Sequence, residues 1–226
     1  MTRLAVLPVA AKASVEQGLE AALESALAHW LYHDEIWLRG NAKAKAEILL
    51  AIARVRHALV LFGGIVPRKA TTHLRALLND ADAVLLAADT ADEALFRTEV
   101  VGAKLALTEW LIQRGWRPFL NEAGEKKIAG SFKRFADIHL SRVAAELRSA
   151  VQHLAVEDAA DQLPKLSRDI DSVQLLAGAY GDAVAPWLEN WQELQRAIEH
   201  DDRSVFEYFR RQALAAEPFW LHSGKR

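Results

Sequence analysis

Apolar residues recur at intervals of three and four along nearly the whole chain, alanine and leucine dominate them, and alternating β-branched runs are almost absent. That is the period of an amphipathic helix, so the sequence predicts an all-α fold. About eight helices can be drawn. The first opens at Ser14, an N-cap with Gln17 and Glu20 behind it, and runs to about Leu38, where "RGN" places Gly40 as the C′ residue. A second covers 42–62 and stops at Gly63 and Gly64. Pro67 suits the first turn of a third helix reaching Ala87, and Thr90 caps a fourth that continues to Arg114 before "GWRP". The stretch "NEAGEKKIAG" reads as a charged loop. Ser131 then caps a long fifth helix, "FKRFADIHLSRVAAELRSAVQHL", and three more fit 162–177, 185–200 and 203–215.

These elements divide the chain into an extended lead-in over 1–13, a first helical half over 14–120 and a second over 121–226. Four helices followed by four raise the question of an internal duplication. Sliding one half over the other at an offset of 114 residues places Ile52, Leu59, Leu61, Phe62 and Gly64 on Leu166, Val173, Leu175, Leu176 and Gly178, with Arg54 on Arg168. Two amphipathic helices also match this well by chance, so both explanations stand at this level.

On a helical wheel of about 100° per residue, Ile48, Leu49, Val55, Leu59, Val60 and Phe62 fall within about 80° of Ile52. Arg56 falls inside the same arc, whereas Arg54 and His57 lie on the other side. A guanidinium does not deprotonate to escape burial. Arg56 must therefore meet a carboxylate, reach water along its apolar stem, or face a cleft that holds an anion.

The same exercise on the fifth helix gathers Ile138, His139, Arg142 and Glu146 within about 60° of Phe135. Glu146, four residues beyond Arg142, makes an intrahelical ion pair the better account of that arginine, and His139 reads as a satisfied interior histidine. Further cations are Lys133 and Arg134 at the start of this helix, Arg68, Lys69 and Arg75 around the third, and Lys126 and Lys127 in the charged loop. Such runs are usually solvated faces. A cation at a helix N-terminus is nevertheless unfavourable without an anion beside it, which singles out Arg68, Lys69, Lys133 and Arg134 as candidate phosphate contacts.

Composition removes several classes of function. Half of the residues are hydrophobic (51%) and 26% are charged, an ordinary globular balance, and the net charge of −2 argues against a surface that coats nucleic acid or an acidic membrane. Any anion site is then local. The chain has no cysteine, hence no disulfide, thiolate metal site or cysteine nucleophile, which fits a reducing compartment such as the cytoplasm. No apolar run approaches the roughly 20 residues of a membrane span. There is no phosphate-cradling glycine loop, no HExxH and no GxSxG, so no catalytic residue is assigned. His29 and His33 stand at i and i+4 beside Asp34 and Glu35, the spacing of a metal pair, but an exposed helical face explains them equally well and no metal ligand is assigned. The aromatic tail "EPFWLHSGKR", with Trp187 and Trp191 a turn apart, is expected to dock and close a core; only Lys225 and Arg226 would suit base reading.

The segment "RVRHALVLFGGIVP" resembles the second-helix signature of the CHAD family, the conserved histidine α-helical domains. The blocks "VAAKASVEQGLEAALE", "LFGGIVPRKATTHLR", "AKLALTEWL", "SFKRFADIHLSR", "QLPKLSRDIDS" and "WLENWQ" are similar to the CHAD half of the enterobacterial CYTH–CHAD inorganic triphosphatases. The resemblance implies two four-helix bundles related by pseudo-twofold symmetry, with a basic cleft between them that binds inorganic polyphosphate or a related anion. It assigns Arg54 and Arg56 to the basic pair of the signature and Arg168 to their counterpart in the second half. It also implies a catalytic CYTH domain in the same parent chain, with Met1 an internal boundary of that parent. The E-x-E-x-K strand of such a domain is absent here, so this chain is expected to be no enzyme by itself and to need no cofactor, a divalent metal belonging only to the CYTH half.

The chain departs from the signature where the family has its namesake histidine, here Ala46, and where a further arginine precedes the pair, here Ala53. Asp169 and Asp171 stand in a run that the family keeps basic. Two readings follow: a polyphosphate-binding module using Arg54, Arg56, Arg68, Lys69, Lys133, Arg134 and Arg168, or a structural or protein-interaction domain with an eroded cleft that stabilises or dimerises the triphosphatase.

Overall fold

The computed structural model describes residues 9–10 and 12–222, leaving most of the predicted lead-in, and Lys225 and Arg226 of the tail, outside the described residues. Among the described residues there is no strand, and the architecture is all-α. The helices are α1 (Val15–Leu38), α2 (Ala44–Leu61), α3 (Arg68–Ala87), α4 (Ala91–Ala94), α5 (Thr98–Ile112), α6 (Glu122–Ile128), α7 (Phe132–Val151), α8 (Ala159–Leu176), α9 (Ala185–Glu199), α10 (Arg203–Ala215) and α11 (Phe219–His222).

Their boundaries follow local chemistry. Gly40 takes a φ of 93° beyond α1, a left-handed conformation in which a side chain is strained. Pro67, extended at φ −62°, caps α3, and the Ser131 hydroxyl accepts from Arg134 N at the start of α7. After α5 the chain turns at Gly115, where an added Cβ would sit 2.3 Å from Cδ1 of Trp110, so only glycine lets that indole lie against the backbone.

Three sequence expectations are corrected. The fourth helix is broken: the Thr90 hydroxyl and the Glu93 carboxylate form a capping box that opens α4, which lasts a single turn to Ala94, and Arg97, extended, starts α5 afresh. The charged loop contains α6, capped by Asn121, whose Oδ1 accepts from Gly124 N at 2.8 Å. In α7 the core stripe is Phe132, Ala136, Leu140, Val143, Leu147 and Val151, so the arc centred on Phe135 is a shoulder: Ile138 is 64% exposed, and Arg142 lies out with Glu146 at 3.8 Å.

The chain forms two compact units. In the unit Val15–Gly130, α1 packs on α2 and α5, and α3 packs on the same two helices. Leu19, Leu23, Trp30, Ile48, Ile52, Leu59, Phe62 and Leu78 are sealed between them. Burying each such aliphatic or phenyl side chain is worth about 1.5–3 kcal/mol. Trp116 closes the core by donating from Nε1 to Glu16 at 2.9 Å.

The other unit runs from Ser131 onward and includes the segment ending at Ser14. That segment is tied in by Val9 N to Gly178 O (3.4 Å), Phe132 N to Ala13 O (2.9 Å) and an antiparallel bridge between Ser14 and Ser131. Here α7 packs on α8 and α10, and α9 packs on the same two, around Phe132, Leu140, Leu147, Trp191, Leu194 and Phe206. The aromatic tail docks as expected: Phe219 and Trp220 are buried, with the Trp220 indole donating to Ser141 at 3.0 Å.

Each unit thus has the same cycle of four helical neighbours. Shifted by the offset of the sequence alignment, α2 coincides with α8 to within one residue, and Ile52, Leu59, Leu61 and Phe62 are buried like Leu166, Val173, Leu175 and Leu176. At this offset the two helices therefore share both register and buried positions.

Candidate anion-binding site

In the first unit the candidate cations lie on α2 and α3. Arg56, the charged residue in the apolar arc of α2, reaches α3: Nη1 donates to Asp82 at 3.1 Å and Nη2 to the Leu78 carbonyl at 2.8 Å. The guanidinium is half-buried and neutralised, so of the three ways open to Arg56 the molecule uses a carboxylate. Arg54, also half-buried, lies close enough to His29 for its charge to oppose protonation of that ring.

The start of α3 is different. Arg68 and Lys69 are exposed, and neither forms an ion pair among the described residues. Arg75, two turns on and on the same face as Arg68, donates from Nε to the Thr71 hydroxyl at 3.1 Å and meets no carboxylate there. Burial, and then the charge of Arg68, push the Arg75 guanidinium below its ordinary pKa. Two arginines and a lysine therefore accumulate uncompensated positive charge at the N-terminus of a 20-residue helix, where the macrodipole adds more of the same sign.

In the second unit Lys133 is engaged on two sides. Its ammonium lies 3.3 Å from Asp137 and 5.0 Å from the centre of the Tyr180 ring, and Tyr180 donates its hydroxyl to Asp137 at 2.5 Å. Burial together with that carboxylate raises the phenol well above its ordinary pKa, so it stays a donor. Arg134 is exposed and forms no ion pair among the described residues. Arg168 is exposed, with Asp169 at 3.8 Å. The pocket between the end of α7 and the start of α8, about 470 Å³, is lined by Asp158, Asp161 and His153 and by no lysine or arginine, which suits no polyanion.

The seven cations singled out from sequence thus separate by their partners. Arg56 and Lys133 are each held by an aspartate, Arg54 is half-buried near His29, Arg168 is exposed with Asp169 at 3.8 Å, and Arg68, Lys69 and Arg134 stand toward solvent. Sequence reasoning gave Arg75 less weight than its neighbours; its seven-residue spacing from Arg68 was the available signal.

A family comparison decides what the helical units are. Residues 21–211 match the family model of the CHAD domain. The chain belongs to the CHAD domain family. The fold agrees with this: the chain is similar to a crystal structure of the CHAD domain from the plant Ricinus communis, with a TM-score of 0.64 and 17% identity over 97% of this chain and 87% of that one. A CHAD domain alone is not a catalytic domain. Among the described residues of this one, no helix is long and apolar enough to cross a membrane. Ala46 and Ala53, where the sequence is expected to depart from the signature, are both exposed on α2.

Proposed function

We propose that this CHAD domain binds inorganic polyphosphate or a similar phosphate polyanion and serves a CYTH triphosphatase domain in the same parent chain, without chemistry of its own. The observation that carries the reading is the uncompensated cluster of Arg68, Lys69 and Arg75 at the start of α3. A phosphate chain would relieve the repulsion between these groups and the helix dipole together, and arginine suits it because its planar fork pairs with two phosphate oxygens at once. Arg54 in the same unit, and Arg134 and Arg168 in the other unit, are further candidate contacts. The lack of cysteine agrees with a cytoplasmic setting.

Titration of the chain with long-chain polyphosphate at low salt tests this. Three or four phosphate contacts should make affinity fall roughly 20- to 50-fold between about 50 and 200 mM salt, by analogy with counterion release from single-stranded nucleic acid. The double variant Arg68→Glu, Arg75→Glu should abolish binding with its helical circular dichroism unchanged. Undiminished binding by that variant, or none by the native chain at low salt, overturns the reading.

A second reading has its own observation. Asp82 and Asp137 neutralise Arg56 and Lys133, which is the pattern of a domain that keeps its cations for structure. In that case the domain stabilises or dimerises its parent. Deleting it from the parent would then lower stability or change oligomeric state while leaving triphosphate turnover per folded molecule the same.

A further inference from the structure

Outside the cationic surface, α1 and α2 bring together three side chains suited to a divalent transition metal. His29 and His33 lie one turn apart on α1 with ring centres 4.3 Å apart, and Glu47 of α2 completes the group. One ligand atom from each residue lies within 4.8 Å of the others, and His29 Nε2 is 3.1 Å from Glu47 Oε2. Tetrahedral zinc with bonds of about 2.0–2.1 Å sets its ligand atoms about 3.3 Å apart. The His29–Glu47 edge already has that length, and a modest rotamer adjustment of His33 supplies the rest.

An independent observation points the same way. His33 is buried, 8% exposed, and its Nδ1 has no hydrogen-bond partner among the described residues, where an interior polar atom ordinarily finds one. We propose that His29, His33 and Glu47 form a site for a divalent first-row transition metal, best suited to zinc, with water in the fourth position and with α1 clipped to α2.

Metal binding would replace the hydrogen-bond contact between His29 Nε2 and Glu47 Oε2. The adjacent Lys104 is neutralised by Asp34 at 2.6 Å, which leaves Arg54 as the repulsive charge that binding must overcome. Two imidazoles and one carboxylate are hard-to-borderline donors, the set that suits zinc, cobalt or nickel and not a thiolate-seeking ion. No candidate polyphosphate contact is a ligand, although Arg54 lies near His29.

The test uses the untagged full chain, stripped with chelator and titrated calorimetrically with Zn²⁺, with Co²⁺ as a spectroscopic probe of coordination. One equivalent should bind, Co²⁺ should give the visible bands of a low-coordinate site, and Zn²⁺ should raise the melting temperature. Glu47→Gln and His29→Gln should each weaken binding at least tenfold and abolish the thermal shift. Both side chains are partly exposed, and melting in chelator shows whether each variant folds; if His29→Gln does not, Glu47→Gln alone decides. Absence of saturable binding overturns the proposal, as does undiminished binding by folded Glu47→Gln, because another histidine is then the ligand.

Discussion

The guanidinium of Arg56 meets the carboxylate of Asp82 at 3.1 Å across the α2–α3 interface, with 28% and 25% of the two side chains exposed. The pair is neither solvent-screened nor sealed in the core, so its worth falls between an exposed pair and a buried one. Asp82→Asn should cost about 1 kcal/mol, a fall of roughly 2–4 °C in melting temperature for a chain of this size. Polyphosphate affinity should move the other way, because the variant releases a cation held by its own protein. Tightening by roughly threefold, about 0.6 kcal/mol, is expected. A lower melting temperature with weaker or unchanged polyphosphate binding would show that Arg56 is a structural residue only.

Glu16 provides a pH-dependent contribution to the same unit. Its burial alone would raise its pKa, but hydrogen bonds from Arg117 and Trp116, with the charges of Arg117 and Arg114, outweigh burial and hold the carboxyl below its ordinary value of 4.5. With the folded value below the unfolded one, the stabilisation is fully present above about pH 4.5 and is lost as pH falls through the lowered folded value. Glu16→Gln should cost about 2 kcal/mol at pH 7, less than a fully buried pair because Arg117 is 39% exposed and keeps Glu125 at 2.9 Å. Urea unfolding from pH 7 to pH 3 should fall more steeply for the native chain than for the variant. Parallel curves would remove Glu16 from the acid response.

What could be read from the chain in advance was set by sequence distance. Gly40, Pro67, Thr90 and Ser131 mark helix ends because capping is decided within four residues, and the core stripe of α2 is local periodicity. The break at Arg97 was not legible, since a capping box looks the same whether the helix after it lasts one turn or six. Nor was the buried face of α7, where Phe135 and Ile138 offered a second apolar stripe and only packing chose between them. The charge of Arg56 was visible as an anomaly, but its partner lies 26 residues away on another helix. Likewise His29 and His33 announced a pair, and expecting them on an exposed face was wrong for His33; Glu47 joins them only because α1 and α2 pack.

Asp169 offers the sharpest contrast between the two halves. At the offset that aligns Arg54 with Arg168, it takes the place of Val55, and both residues are buried. A carboxylate there is poorly served: Arg168 approaches only to 3.8 Å and is mostly solvated, and Oδ2 has no hydrogen-bond partner among the described residues. Burial accordingly raises its pKa above the ordinary 3.8, against the pull of Arg168 and Lys165 and with the help of Glu146. A raised folded value means that its contribution is favourable below the unfolded pKa and is lost as pH rises through the folded one, so at pH 7 the ionised group costs stability. Asp169→Val should therefore stabilise the chain by about 1 kcal/mol at pH 7, with a gain that shrinks toward pH 4. Asp169→Asn, which removes the charge but keeps a buried polar group, should gain less. Urea unfolding of the three proteins at both pH values checks the order, and a destabilised valine variant at pH 7 would mean that Asp169 has a binding or pairing role that outweighs its burial.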